Sequence, residues 1–265
     1  MDALLLKLPA LLAALWWPFC RSLAVLSMAP VLGEALVPVT VRILLALVLG
    51  VILMPVAAQG AVPIDPLSLQ GVVATLEQAV IGLAIGLALQ LAIAVFQVLG
   101  YLASSQMGLA MAVMNDPLNG SASDAVSNLL FILCTLVFFA VDGHLVITGV
   151  LGASFKAWPV GAGWGQLSLD TLVLQVGWVF SAAMLLALPL VFSTLVVQIG
   201  FGFLNRVAPT MNLFSLGFSV VTLFGVLMLW ALAPSLPAHY LQATQHTLDL
   251  LQQGLMQAKE AAHGR

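Results

Sequence analysis

Residues 78–115 read QAVIGLAIGLALQLAIAVFQVLGYLASSQMGLAMAVMN, a run without one charged side chain. At ~1.5 Å rise per residue, a helix of this length exceeds a ~30 Å hydrocarbon core, so it must tilt, break or leave the bilayer. The rest of the chain is the same material. Of 265 residues, 62% are hydrophobic and only 6% are charged, against about 25% charged in soluble domains. Such a chain cannot cover a water-facing surface. It reads as an all-α membrane protein with about six long hydrophobic, partly broken helices and a C-terminal amphipathic helix. The formal charge is −3 and the basic residues are scattered, which argues against nucleic acid as a partner.

Upstream, the first span covers residues 4–28 and reads as retained, because it lacks the basic start and small-residue exit of a signal peptide. It contains Pro18 and Arg21. An arginine at mid-depth costs about 2.5–3.5 kcal/mol on the insertion scale, so Arg21 needs a partner, a wet interface or a packed position in an assembly. Cys20 and Cys134 stand in apolar runs and read as small hydrophobes. Pro30 and Pro38 bracket a short connection to a second span over 41–54, with Arg42 at its head and Pro55 at its end. The third span, 69–103, carries Glu77 near its start. In it Gly82, Gly86, Gln90, Ala94 and Gln97 share one helical face, and Gly82-x-x-x-Gly86 permits close backbone approach. Packing within one bundle and packing against a neighbouring subunit both fit this face.

Downstream, a fourth span over 125–141 ends in Asp142-Gly143-His144, and an amphipathic continuation covers 145–155. The fifth span, 171–199, contains Pro189. A polar loop over 200–212 follows, with Asn205 and Arg206, the only charge between Asp170 and Asp249. The sixth span, 213–233, meets Pro234 and Pro237. The Gln-rich tail from His239 repeats leucines at helical spacing. The parts of one membrane domain are therefore N-terminal helices (1–103), a central loop (104–124), middle helices (125–199), the late polar loop (200–212) and C-terminal helices (213–265). Six spans put both termini on one side with Lys7, Lys156, Lys259 and Arg265, the cytoplasmic side by the positive-inside rule.

Reactive chemistry is not written here. There is no H-E-x-x-H helix and no G-x-S-x-G elbow, no metal-ligand spacing and no cofactor motif, so an enzyme is not expected. Asp142 and His144 flank a glycine without a nucleophile and read as a helix-terminal turn. A secondary transporter with a small-molecule site is the alternative class, weakened because the carboxylates lie in loops and at span ends. The central loop offers something mechanical instead. Gln106, Met107 and Gly108, then Met111 and Met114, run into Asp116-Pro117 and Asn119-Gly120. Thioethers are flexible and seal against variable surfaces, and apolar constrictions gate pores. These residues form a candidate plug. Arg21, Arg42, Glu77, Asn205 and Arg206 are candidate polar anchors, and Gly82, Gly86, Gln90 and Gln97 are candidates for subunit packing.

Taken in order, the motifs resemble the flagellar FliR family of type III secretion export-gate proteins, to which an injectisome branch is related. Arg21 with Ala29-Pro30-Val31-Leu32-Gly33, Val37-Pro38 and Arg42 is similar to the family's first hairpin. Glu77 with Ile81-Gly82-Leu83-Ala84-Ile85-Gly86 is similar to its third helix, and Gln106-Met107-Gly108 running to Asp116-Pro117 to its central loop. Phe138 to Gly143-His144, then Ser154-Phe155 and Pro159, match its middle segment. Asn205-Arg206-Val207-Ala208-Pro209 with Met211-Asn212-Leu213-Phe214 is the most distinctive piece, and Thr210 departs from the glutamine of the family pattern. The resemblance implies a channel subunit in the bacterial inner membrane, within the flagellar basal body. It implies assembly with FliP and FliQ, contact with FlhB and FlhA, passage of flagellar export substrates, and apolar surface shared between sister subunits and lipid.

Overall fold

The computed structural model describes residues 2–34, 37–59, 62, 64–109, 124–162, 169–207 and 213–263. Among them every regular element is helical: α1 (Asp2–Met28), α2 (Val39–Ala57), α3 (Leu69–Gln106), α4 (Ala125–Ala140), α5 (Gly143–Ala157), α6 (Leu169–Val207), α7 (Leu213–Leu232), a 3₁₀ turn (Ala233–Ser235) and α8 (Leu236–His263). Among the described residues five helical stretches are long and apolar enough to cross a membrane, and the broken pair α4–α5 makes up to six. The chain is an all-α membrane protein.

Several boundaries move outward from the sequence reading. α2 runs through Pro55 to Ala57, although the proline gives up the hydrogen bond to the Val51 carbonyl and its ring crowds that carbonyl. α3 continues to Gln106 rather than ending at Ala103. Residues 200–207, expected as the start of the late polar loop, are the last turns of α6. Gly200 and Gly202 lower helix propensity by about 1 kcal/mol each, but unpaired backbone in an apolar setting costs more. Pro237 lies in the first turn of α8, where a missing N–H is tolerated. Between α4 and α5, Asp142 takes a left-handed conformation (φ 54°), which breaks the pair without a side-chain cap.

The chain divides into two compact units: Met1–Leu91, Phe138–Gln175 and Thr244–Arg265 form the first, and Ala92–Val137 with Val176–Ala243 the second. In the first, α1 lies against α3. A Cβ on Gly82 would stand 2.6 Å from the Arg21 carbonyl oxygen, and one on Gly86 2.7 Å from that of Val25. Only glycine permits this approach. The face proposed for subunit packing is therefore occupied at Gly82 and Gly86 by the chain's own α1, because spacing fixes a face but not its occupant. The first unit's core includes Val25, Leu26, Ile85, Leu151 and Phe155, and the second unit's Ile93, Phe96, Leu99, Ala103 and Met107. Large apolar residues line the outside, among them Phe180, Leu185, Phe192 and Phe203 along α6 and Leu44, Val48 and Ile52 along α2.

Candidate functional site

In the first unit the arginine that the sequence marked as costly is fully buried and fully engaged. Arg21 Nε donates to Gln78 Oε1 at 2.8 Å, Nη1 to Ser154 Oγ at 3.2 Å and Nη2 to the Trp158 carbonyl at 2.9 Å. The guanidinium lies 4.0 Å from the centre of the Phe155 ring, a cation–π geometry. Glu77, itself buried, attracts it electrostatically. The rigid fork of the guanidinium matches acceptors on α3, on α5 and on Trp158, the residue that ends α5. Ala24 and Val25, three and four residues on, share the face of Arg21 and are buried with it, so Arg21 lies on the buried side of α1 and ties α1, α3 and α5 at one point. Arg42 Nη2 donates to the Glu34 carbonyl, and Gln90 Nε2 reaches Glu34 Oε1 at 3.5 Å. Those two contacts fasten the α1–α2 connection.

In the second unit the start of the central loop is built as a helix terminus. Leu109 N–H donates to the Ser104 carbonyl (3.0 Å) and Gly108 N–H to that of Ser105 (3.2 Å), the two bonds of a Schellman motif. Gly108 supplies the positive φ (74°) that the motif requires. Met107 is completely buried with Ala103, Val126 and Leu190, and Leu109, Met228 and Leu229 pack around them. Its thioether fills the notch left by Gly225, where any Cβ would collide with it. The far end of the loop is also capped: Asp124 accepts the N–H groups of Val126 and Ser127, an N-cap for α4, and Ser127 Oγ donates to the Gln97 carbonyl at 3.2 Å. Both feet of the loop are thus attached to helices. Met111, Met114, Asp116 and Pro117 lie outside the described residues.

A cavity of about 380 Å³ adjoins the first foot, lined among others by Gln106, Met107, Gly108, Gln198, Asn205 and Phe218. The structure thereby brings three expected plug residues and one expected polar anchor, Asn205, to a single space. Arg206 is exposed in the last turn of α6, where a cation complements the helix dipole. Gln78 and Trp158 around Arg21, and Gln198, Thr222 and Gly225 around the loop foot, were not singled out from sequence, and Ser154 was read only as part of the family's middle segment. The amides standing in apolar helices were the only visible signal. Among the described residues no group of three or more His, Cys, Asp or Glu side chains gathers to hold a metal ion.

Comparison with known proteins bears on what this arrangement serves. Residues 12–247 match the family model described as bacterial export proteins, family 1. The chain is 35% identical to the flagellar biosynthetic protein FliR of Pectobacterium carotovorum subsp. carotovorum, over 89% of this chain and 90% of that protein. It is 30% identical to FliR of Escherichia coli K12 over 83% and 84%. It is also 26% identical, over 91% and 90%, to the surface presentation of antigens protein SpaR of Salmonella typhimurium.

Proposed function

The chain belongs to family 1 of the bacterial export proteins, and on that premise we propose that it is a channel-forming subunit of the flagellar type III export gate. As a FliR relative it is a component of the flagellar export apparatus. The finer reading is that it helps conduct unfolded flagellar proteins across the inner membrane at the basal body, as a single membrane module assembled with FliP and FliQ, with FlhB and FlhA beside it. The central loop, with Met107, Met111 and Met114, is the gate. It seals the channel at rest and is displaced by the exported chain.

One observation carries this reading. The loop departs from a Schellman helix end at Gly108 and returns to a capped helix start at Asp124, so it is attached to a helix at each end. The outward apolar residues of α2 and α6 suit lipid and sister subunits alike. The test is deletion of residues 106–120 in the assembled complex. Small-solute leakage across vesicles should rise while the subunits still copurify, and unchanged leakage in an intact complex removes the gate assignment.

A further inference from the structure

The carbonyls at a helix C-terminus lack intrahelical donors. In α3 the Schellman bonds satisfy Ser104 and Ser105. The next two carbonyls, of Gln106 and Met107, are satisfied from outside, each by a different helix. Gln198 Nε2 of α6 donates to the Gln106 carbonyl at 3.3 Å, and Thr222 Oγ1 of α7 to the Met107 carbonyl at 3.0 Å. We propose that Thr222 and Gln198 are positioning residues for the gate. They latch the end of α3 to α7 and α6, and turning them away frees the base of the central loop. The inference rests on the gate reading above.

Two features make this contact a latch rather than fixed packing. The Thr222 hydroxyl carries one proton and faces two acceptors at equal distance, the Met107 carbonyl and its own helix's Phe218 carbonyl, both 3.0 Å. A threonine bonded four residues back is a satisfied state, so rotating the proton releases Met107 without leaving the hydroxyl bare. The surroundings are also one-sided. Met107 packs against Ala103, Val126 and Leu190, and it also borders, with Gln198, Phe218 and Gly108, the cavity of about 380 Å³. Gln198 and Phe218 therefore have room to swing, and a shift of α6 or α7 reaches the loop base through two hydrogen bonds.

The experiment uses the full-length chain in its assembled complex, in vesicles loaded with a small dye. It compares Thr222→Val, which keeps shape and removes the hydroxyl, with Thr222→Ser, which keeps the hydroxyl, and with Gln198→Leu. Leakage and amide exchange at residues 107–109 are both read. Loss of one such bond should raise the released population about two- to tenfold. Thr222→Val and Gln198→Leu should speed exchange and leakage by that factor, and Thr222→Ser should restore both. Wild-type behaviour of Thr222→Val, a serine variant as defective as the valine one, or faster exchange without leakage would each overturn the proposal. So would failure of both Thr222→Val and Gln198→Leu to assemble, which would make the contacts merely structural. The deletion of 106–120 separates the two claims: if it leaks while Thr222→Val exchanges normally, the latch alone falls. If it stays tight, the gate reading falls.

Discussion

Arg21 and Met107 are both long, flexible side chains buried to the same degree, and they are held in opposite ways. Arg21 is fixed by three directional donors, a ring beneath it and a carboxylate that attracts it. None of those contacts survives a small displacement, because hydrogen bonds fail steeply with angle and a buried charge has no second partner to turn to. Met107 is held by dispersion in an apolar pocket, and its carbonyl by a Thr222 hydroxyl that has an alternative acceptor in the Phe218 carbonyl. Dispersion tolerates sliding, and the thioether refits as it moves. The first region is a fixed point that ties three helices, and the second is a joint. A gate needs both, since a movable segment transmits nothing unless its frame stays put.

The comparison breaks most readily at Arg21. Arg21→Leu strips the charge facing Glu77 and leaves the acceptors on Gln78, Ser154 and Trp158 without their donor, a loss of about 3–5 kcal/mol for one side of a buried polar cluster. The expected result is collapse of the yield of assembled complex and a strongly lowered thermal midpoint. Arg21→Lys keeps the charge but not the planar fork and should lose about 1–3 kcal/mol. If lysine performs like arginine, the fork is not what fixes this point. Met107→Leu should cost less than about 1.5 kcal/mol, as volume-conserving swaps do, with assembly nearly unchanged. A Met107→Leu loss as large as that of Arg21→Lys would mean that the second region is as rigid as the first.

The difference between the two regions was only half legible in the sequence. Charge-free runs force helices and a bilayer, so the class and the helices were readable. Arg21 announced its need for partners through its cost. The partners did not announce themselves, because they lie 57, 133 and 137 residues away and are ordinary residue types. Gly82 and Gly86 gave a close-packing face, yet nothing in their spacing says that α1 fills it. The extension of α6 through Gly200 and Gly202 was hidden because local propensity argued for a loop while backbone hydrogen bonding in an apolar setting argued for helix, and the latter is stronger. At the central loop the turn signal of Gly108 was visible. The side chains of α6 and α7 that cap the same helix end, Gln198 and Thr222, were not.

Gly108 offers the finest test of the joint. Its positive φ costs an alanine about 1–2 kcal/mol by itself, and a Cβ there would also meet the Phe218 ring at 2.6 Å. Whether that second effect matters depends on whether the ring gives way, and Phe218 borders open space. The joint view therefore predicts that Gly108→Ala loses only its backbone share, and that Gly108→Ala and Phe218→Ala are additive within about 0.5 kcal/mol in thermal unfolding of the complex. A larger coupling, with Phe218→Ala relieving much of the alanine's cost, would show a ring held in place. The foot of the loop would then be a second fixed point, and the contrast with Arg21 would shrink to chemistry alone.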